Sequence, residues 1–157
     1  MTRLREQVRT SLGTEAAFAY VADFANSMHW DPGVATSRRI DDGQVGVGVR
    51  FELGVRLGGR VASMEYRVSV FEPSTRVVFV GEGSGISAVD EIRFAPDGTG
   101  TLIDYTADIR LGGALRLVQP FLGRAFVKVG RDALTRMQRT LDARVGAPNG
   151  QLGKEST

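Results

Sequence analysis

Val47-Gly-Val-Arg-Phe-Glu-Leu-Gly-Val-Arg-Leu57, followed at once by Gly58-Gly59, is the stretch on which the fold turns. Val47, Val49, Phe51, Leu53, Val55 and Leu57 alternate with Gly48, Arg50, Glu52, Gly54 and Arg56. A period of two describes a strand with one wet face. Gly58-Gly59 tolerates the positive φ of a two-residue hairpin. The chain then runs back with Ala62, Met64, Tyr66, Val68 and Val70 on one side and Ser63, Glu65, Arg67 and Ser69 on the other. Glu72-Pro73-Ser74 ends this second strand, because proline has no N–H to donate to a ladder.

The same alternation continues outward. Arg76 to Glu82, Ile86 to Phe94 and Thr101 to Leu111 are expected strands, separated by Gly83-Ser84-Gly85 and by Pro96-Asp97-Gly98-Thr99-Gly100. Val34 to Ile40 precedes them, giving a six-strand meander, and a further strand from about Leu4 to Ser11 opens the chain. Two segments follow a helical period instead. In Thr14 to Phe24, Ala17, Phe18, Val21, Ala22 and Phe24 share a face, with Thr14 placed to cap the helix. From Pro120 to about Val145, Leu122, Phe126, Val129, Ala133, Met137 and Leu141 form a stripe, and Pro120 suits the first turn. The pattern predicts one domain over residues 1–145 and a flexible tail over 146–157.

Composition removes whole classes of chemistry. The 157 residues include no cysteine, so thiolate metal sites and cysteine nucleophiles are excluded, and His29 is the single histidine, so multi-histidine zinc sites are excluded too. The net charge is only +2 and no basic-plus-aromatic run appears, so no nucleic-acid partner is expected. Gly81-Glu-Gly-Ser-Gly85 precedes a strand, not a helix, and reads as a hairpin turn. Gly153-Lys154 lacks the phosphate-loop spacing, so no nucleotide or other cofactor is expected. The start of the chain has no continuous apolar core of the secretory kind, and a cytoplasmic address is the default.

A curved sheet closing on the last helix buries all these apolar faces economically. Gly123 and Gly130 fall within the helix stripe, which signals either close backbone contact or space kept open. The strand phases put Phe51, Leu53, Met64, Tyr66, Phe79, Ala88, Asp90, Ile92, Ile103 and Tyr105 in one compartment with Phe126, Val129 and Met137. By itself this describes a core as well as a pocket.

Asp90 is the odd member. A regular strand turns it inward, where it, Tyr66 and Tyr105 would hold a carbonyl or exchange protons with an acidic carbon; a bulge near Gly85 would instead expose it. Trp30 is expected to plug one end, His29 to lie at the surface, and Asp31 before Pro32-Gly33 to make a turn. The last helix carries six basic residues against Asp132 and Asp142, read as a solvated face, with contact to an anionic membrane as the rival.

The order and pattern of Thr14-Glu-Ala-Ala-Phe-Ala-Tyr-Val-Ala-Asp-Phe-Ala-Asn-Ser-Met-His-Trp-Asp-Pro-Gly33, Gly46-Val-Gly-Val-Arg-Phe51, Phe71-Glu-Pro73, Val77-Val-Phe79, Gly98-Thr-Gly-Thr101 and the closing helix resemble the polyketide cyclase/dehydrase and lipid-transport superfamily, related to START domains. The resemblance spans about Leu4 to Leu141. It implies a helix-grip α+β fold: a curved antiparallel sheet of about seven strands on a long C-terminal helix, with two short helices between the first two strands. It also implies an apolar cavity, which tips the glycine question toward space.

Three functions are then in play. The first is binding of a hydrophobic small molecule, lipid-like or polyketide-like, by a monomer or homodimer. Trp30, Phe51, Met64, Tyr66, Phe79, Asp90, Tyr105, Phe126 and Met137 would line the site. The second is an aromatase/cyclase or dehydratase-like enzyme using Asp90, Tyr66 or Tyr105. The third is a membrane-associated accessory or chaperone-like role.

Overall fold

In the computed structural model, which describes residues 1–146, the chain begins with β1 (Thr2–Thr10), α1 (Thr14–Ala22), a 3-10 turn (Phe24–Asn26) and α2 (Ser27–Trp30). Six strands follow: β2 (Val34–Arg39), β3 (Arg50–Leu57), β4 (Arg60–Glu72), β5 (Arg76–Gly83), β6 (Ile86–Asp97) and β7 (Gly100–Leu111). A second 3-10 turn (Gly113–Leu117) leads into α3 (Gln119–Asp142). The segment expected to be a flexible tail lies, apart from Gly146, outside the described residues.

The strand order is β1-β7-β6-β5-β4-β3-β2, all antiparallel, so the short helices carry the chain from one edge of the sheet to the other. The sheet curls around α3, the helix-grip arrangement. Register shifts between Val34 and Thr36 and between Val68 and Val70 mark bulges, which bend a strand and increase its twist. The concave face is apolar. The convex face carries cross-strand ion pairs such as Arg3–Asp108 at 2.7 Å and Arg5–Asp104 at 2.9 Å.

Several boundaries differ from the expected ones. The strand expected from Val47 begins at Arg50: Gly48 has φ 91°, which takes the chain out of the extended conformation and leaves Val47 in solvent. Val70 leaves the phase of Val68, because the bulge turns Phe71 inward onto Phe18, with ring centroids 5.2 Å apart. Gly81 lies within β5, and only the residues after Gly83 make the hairpin turn. Thr14 does not cap α1. It is the first helical residue, Gly13 holds the cap position, and the Thr14 hydroxyl sits 3.2 Å from that of Thr101. α3 starts one residue before Pro120 and stops at Asp142.

The glycines of α3 resolve against the expectation of space. A Cβ on Gly130 would collide with the Leu4 side chain of β1, so this glycine lets helix and strand touch; Gly123 faces Thr2 at ordinary contact distance. Beyond Gly130, Ala133, Leu134, Met137 and Leu141 are fully buried. Before it, Phe121 is 83% exposed. On the basic face, Arg131 pairs with Glu6 at 3.1 Å and Arg144 lies 4.4 Å over the Tyr20 ring, while Arg124 and Lys128 face solvent.

Gly130→Val is expected to destabilise the fold by about 2 kcal/mol in urea unfolding, because a branched side chain must push α3 off β1. In a Leu4→Ala background the same substitution should cost less than half as much.

Candidate functional site

A cavity of about 330 Å³ lies between the inner faces of β3, β4, β6 and β7, Leu4 of β1, the turn at 31–34 and the stretch of α3 from Leu122 to Leu134. Small-molecule sites span roughly 300 to 1,000 Å³. Its exposed lining residues, Arg56, Gly58 and Ala125, mark an opening between the β3–β4 hairpin and α3. Apolar side chains such as Leu53, Ala88, Ala107, Phe126 and Val129 make most of the wall.

Trp30, Tyr66, Asp90, Tyr105 and Phe126, all expected at the site, border this cavity. Phe51, Met64, Phe79 and Met137 do not. Phe24 descends from the 3-10 turn and stacks on Phe79 at 4.1 Å, with Phe51 edge-on to both rings, so this part of the compartment is solid. Met64 and Met137 are fully buried away from the opening, Met137 on the half of α3 that packs flush.

Asp90 points inward because β6 pairs without a register shift on either side, from Ile86↔Leu111 to Asp97↔Gly100 and from Gly83↔Ile86 to Arg76↔Arg93. No bulge forms near Gly85. Burial pushes the Asp90 carboxyl up to about 7, the Tyr105 hydroxyl opposing as a hydrogen-bonding neighbour and the charges of Asp31 and Asp108 reinforcing. Burial and Asp90 likewise hold the Tyr66 and Tyr105 phenols well above their ordinary value, so both remain donors at neutral pH. The Tyr66 ring lies directly over Gly81 of the neighbouring strand. A Cβ there would stand 2.5 Å from Tyr66 Cε1, so the missing side chain is what seats the ring.

Trp30 is 1% exposed, edge-on to Tyr105 at 6.1 Å and to Phe24 at 6.2 Å, and its indole Nε1 has no hydrogen-bond partner. His29, next to it, is exposed. Asp31 makes the expected turn, its Oδ1 accepting the Gly33 N–H at 2.7 Å, yet it also borders the cavity. Burial raises its carboxyl to about 6, against the Gly33 hydrogen bond and the charges of Arg136 and Arg56. Sequence reasoning assigned Asp31 to the turn alone. Its adjacency to Trp30 was the available signal, since a turn that sets Trp30 against the cavity sets the next residue there too.

The site is therefore an oily chamber with two carboxyls raised toward neutrality and two phenols, bordered by Trp30. Among the described residues, no cluster of three or more histidine, cysteine or acidic residues could hold a metal ion, and no helix is long and apolar enough to cross a membrane.

The fold and chamber define a helix-grip protein. A family model described as polyketide cyclase / dehydrase and lipid transport matches residues 1–142, and the chain belongs to that family. Its fold is similar to that of the Zhui aromatase/cyclase from a Streptomyces species, at TM-score 0.78 and 15% identity over 94% of this chain and 98% of the other. It is also similar to a START superfamily protein from Mycobacterium smegmatis, at TM-score 0.69 and 15% identity over 92% and 97%. A sequence comparison with curated proteins finds no match. Family and fold support a role in hydrophobic-ligand binding or polyketide processing.

A carboxyl raised by burial keeps its proton longer in the folded than in the unfolded state, so folding loses stability as pH climbs from about 4 to about 7 and Asp90 ionises in place. Asp90→Asn should therefore raise the melting temperature at about pH 8 and leave it nearly unchanged near pH 4, read by circular dichroism. Gly81→Ala should push the Tyr66 ring toward the cavity, detectable as shifted aromatic resonances of Tyr66 in NMR spectra, with the strand pairing kept.

Proposed function

We propose that the protein binds a hydrophobic small molecule, lipid-like or polyketide-like, in the cytoplasm, within the cavity between the sheet and α3. The observation that carries this reading is the opening beside the exposed N-terminal half of α3, which leads to an apolar wall bearing a few polar groups. Burial of apolar ligand surface, worth about 25 cal/mol per Å², supplies the affinity. Asp90, Tyr66 and Tyr105 supply orientation as the polar side chains of an otherwise greasy wall, which Trp30 also borders.

One geometric feature favours a second reading, an enzyme of the cyclase or dehydratase type. Asp90, whose carboxyl burial raises to about 7, and Tyr105 border the same cavity, a carboxyl and a phenol suited to act as base and acid. The ionised Asp90 would take a proton from a carbon next to a carbonyl. The electron pair of that C–H bond would move to the carbonyl oxygen as an enolate, which the Tyr105 or Tyr66 hydroxyl would hydrogen-bond.

Trp30 is the chain's single tryptophan and borders the cavity, so its emission reports occupancy without a label. Under the binding reading, native mass spectrometry of the purified protein shows an adduct that organic solvent removes, and refilling the extracted protein changes Trp30 emission. Extracted protein that neither carried a guest nor responds to long-chain alcohols contradicts it. Under the enzymatic reading, Asp90→Asn lowers turnover of a model poly-ketone by about 100-fold or more. Turnover that survives Asp90→Asn, Tyr66→Phe and Tyr105→Phe removes these residues from the chemistry.

A further inference from the structure

We infer that the chamber selects hydrophobic molecules whose polar end is a protonated amine, and discriminates against those ending in a carboxylate. The inference rests on the chamber being a binding site and adds the chemical class of its guest. It starts from a juxtaposition: Asp31, from the turn after α2, and Asp90, from the middle of β6, border one cavity. Among the described residues no arginine or lysine makes an ion pair or hydrogen bond with Asp90, and the charges that raise its carboxyl, those of Asp31 and Asp108, are negative. Arg56 of β3 and Arg136 of α3 act on Asp31. Arg56, however, is committed to backbone carbonyls, donating to Pro32 O at 2.7 Å and to Val34 O at 3.3 Å. The deep carboxylate is thus left for a guest to neutralise.

Around Asp90 the electrostatics of the wall is one-sided, with Arg56 standing at the opening. At low dielectric, an ammonium beside Asp90 recovers much of the carboxylate's burial cost, whereas a second carboxylate would add to it or enter only protonated. The other polar side chains of the deep wall are the phenols of Tyr66 and Tyr105 from β4 and β7, which donate. They suit a hydroxyl or carbonyl oxygen next to the amine, so amino-alcohol and amino-ketone ends fit the full set.

The pH dependence has a definite sign. Both carboxyls lose their protons between about pH 5 and 8. Amine affinity therefore rises over that window while carboxylate affinity falls.

The test uses three probes with one tail, decylamine, decanol and decanoate, titrated into the extracted protein by calorimetry and Trp30 emission. At about pH 8 the amine is expected to bind about tenfold tighter than the carboxylate, a gap of about 1.4 kcal/mol. The gap should shrink to within about threefold at pH 5 and in Asp90→Asn. Asp31→Asn, which keeps an oxygen for the Gly33 N–H, should narrow it less. Equal or tighter binding of decanoate at pH 8, or an amine preference untouched by both substitutions, overturns the amine assignment while the chamber stands. Failure of all three probes to bind overturns the chamber itself.

Discussion

At Gly130, α3 comes into contact with Leu4 of β1, and the position of that contact along the helix divides the fold into a solid end and a hollow one. A straight helix laid in a curved sheet cannot follow it at both ends. Toward the C-terminus, Leu134, Met137 and Leu141 sink fully into the core, and Asp142 fastens the end by accepting from the Thr10 hydroxyl at 2.6 Å and the Ser11 N–H at 2.9 Å. Toward the N-terminus, Leu122 and Phe126 are only partly covered and Phe121 stands in solvent. The chamber lies beneath α3 from Leu122 to Leu134, open at the N-terminal side. A glycine that costs roughly 1 kcal/mol of helix propensity is thus placed where the two elements touch, and it borders the chamber as well.

The polar wall follows from the same geometry. Asp90 lies on the apolar phase of β6, and it is tolerated there because it borders a cavity instead of closed packing. Burying a carboxylate without a partner is costly, so the protein carries a group whose proton is held to about pH 7. Trp30 is in a comparable position, with a buried indole N–H unpaired. Orphaned polar groups of this kind are uncommon in native interiors. Asp90 and Trp30 both border the cavity.

Much of the fold was legible in the chain. Strand periods around Gly58-Gly59, the helical stripe ending at Leu141 and the punctuation at Pro73 and Gly98 are local signals, and they placed seven strands and the closing helix. What escaped depended on neighbours far away in sequence. The bulge after Val68 reversed the facing of Val70 and Phe71, because bulges have no signature in an alternating run. The cavity wall was half legible for a related reason: strand phase assigns a residue to the inner face but not to a depth along the groove. Asp90, Tyr66 and Tyr105 share the inner face with Phe51, Met64 and Phe79. Phe24, arriving from the 3-10 turn, fills the space above the two phenylalanines. Gly130 was ambiguous because a helix glycine serves contact and space equally, and only the position of Leu4 decides between them.

Diffraction from crystals held under xenon tests the hollow most directly, since the gas enters apolar voids and scatters strongly. The account predicts a xenon peak or an ordered organic guest enclosed by Leu53, Ala88, Ala107 and Val129, below the N-terminal half of α3. Side chains meeting there in close contact, with no density for either, would contradict it.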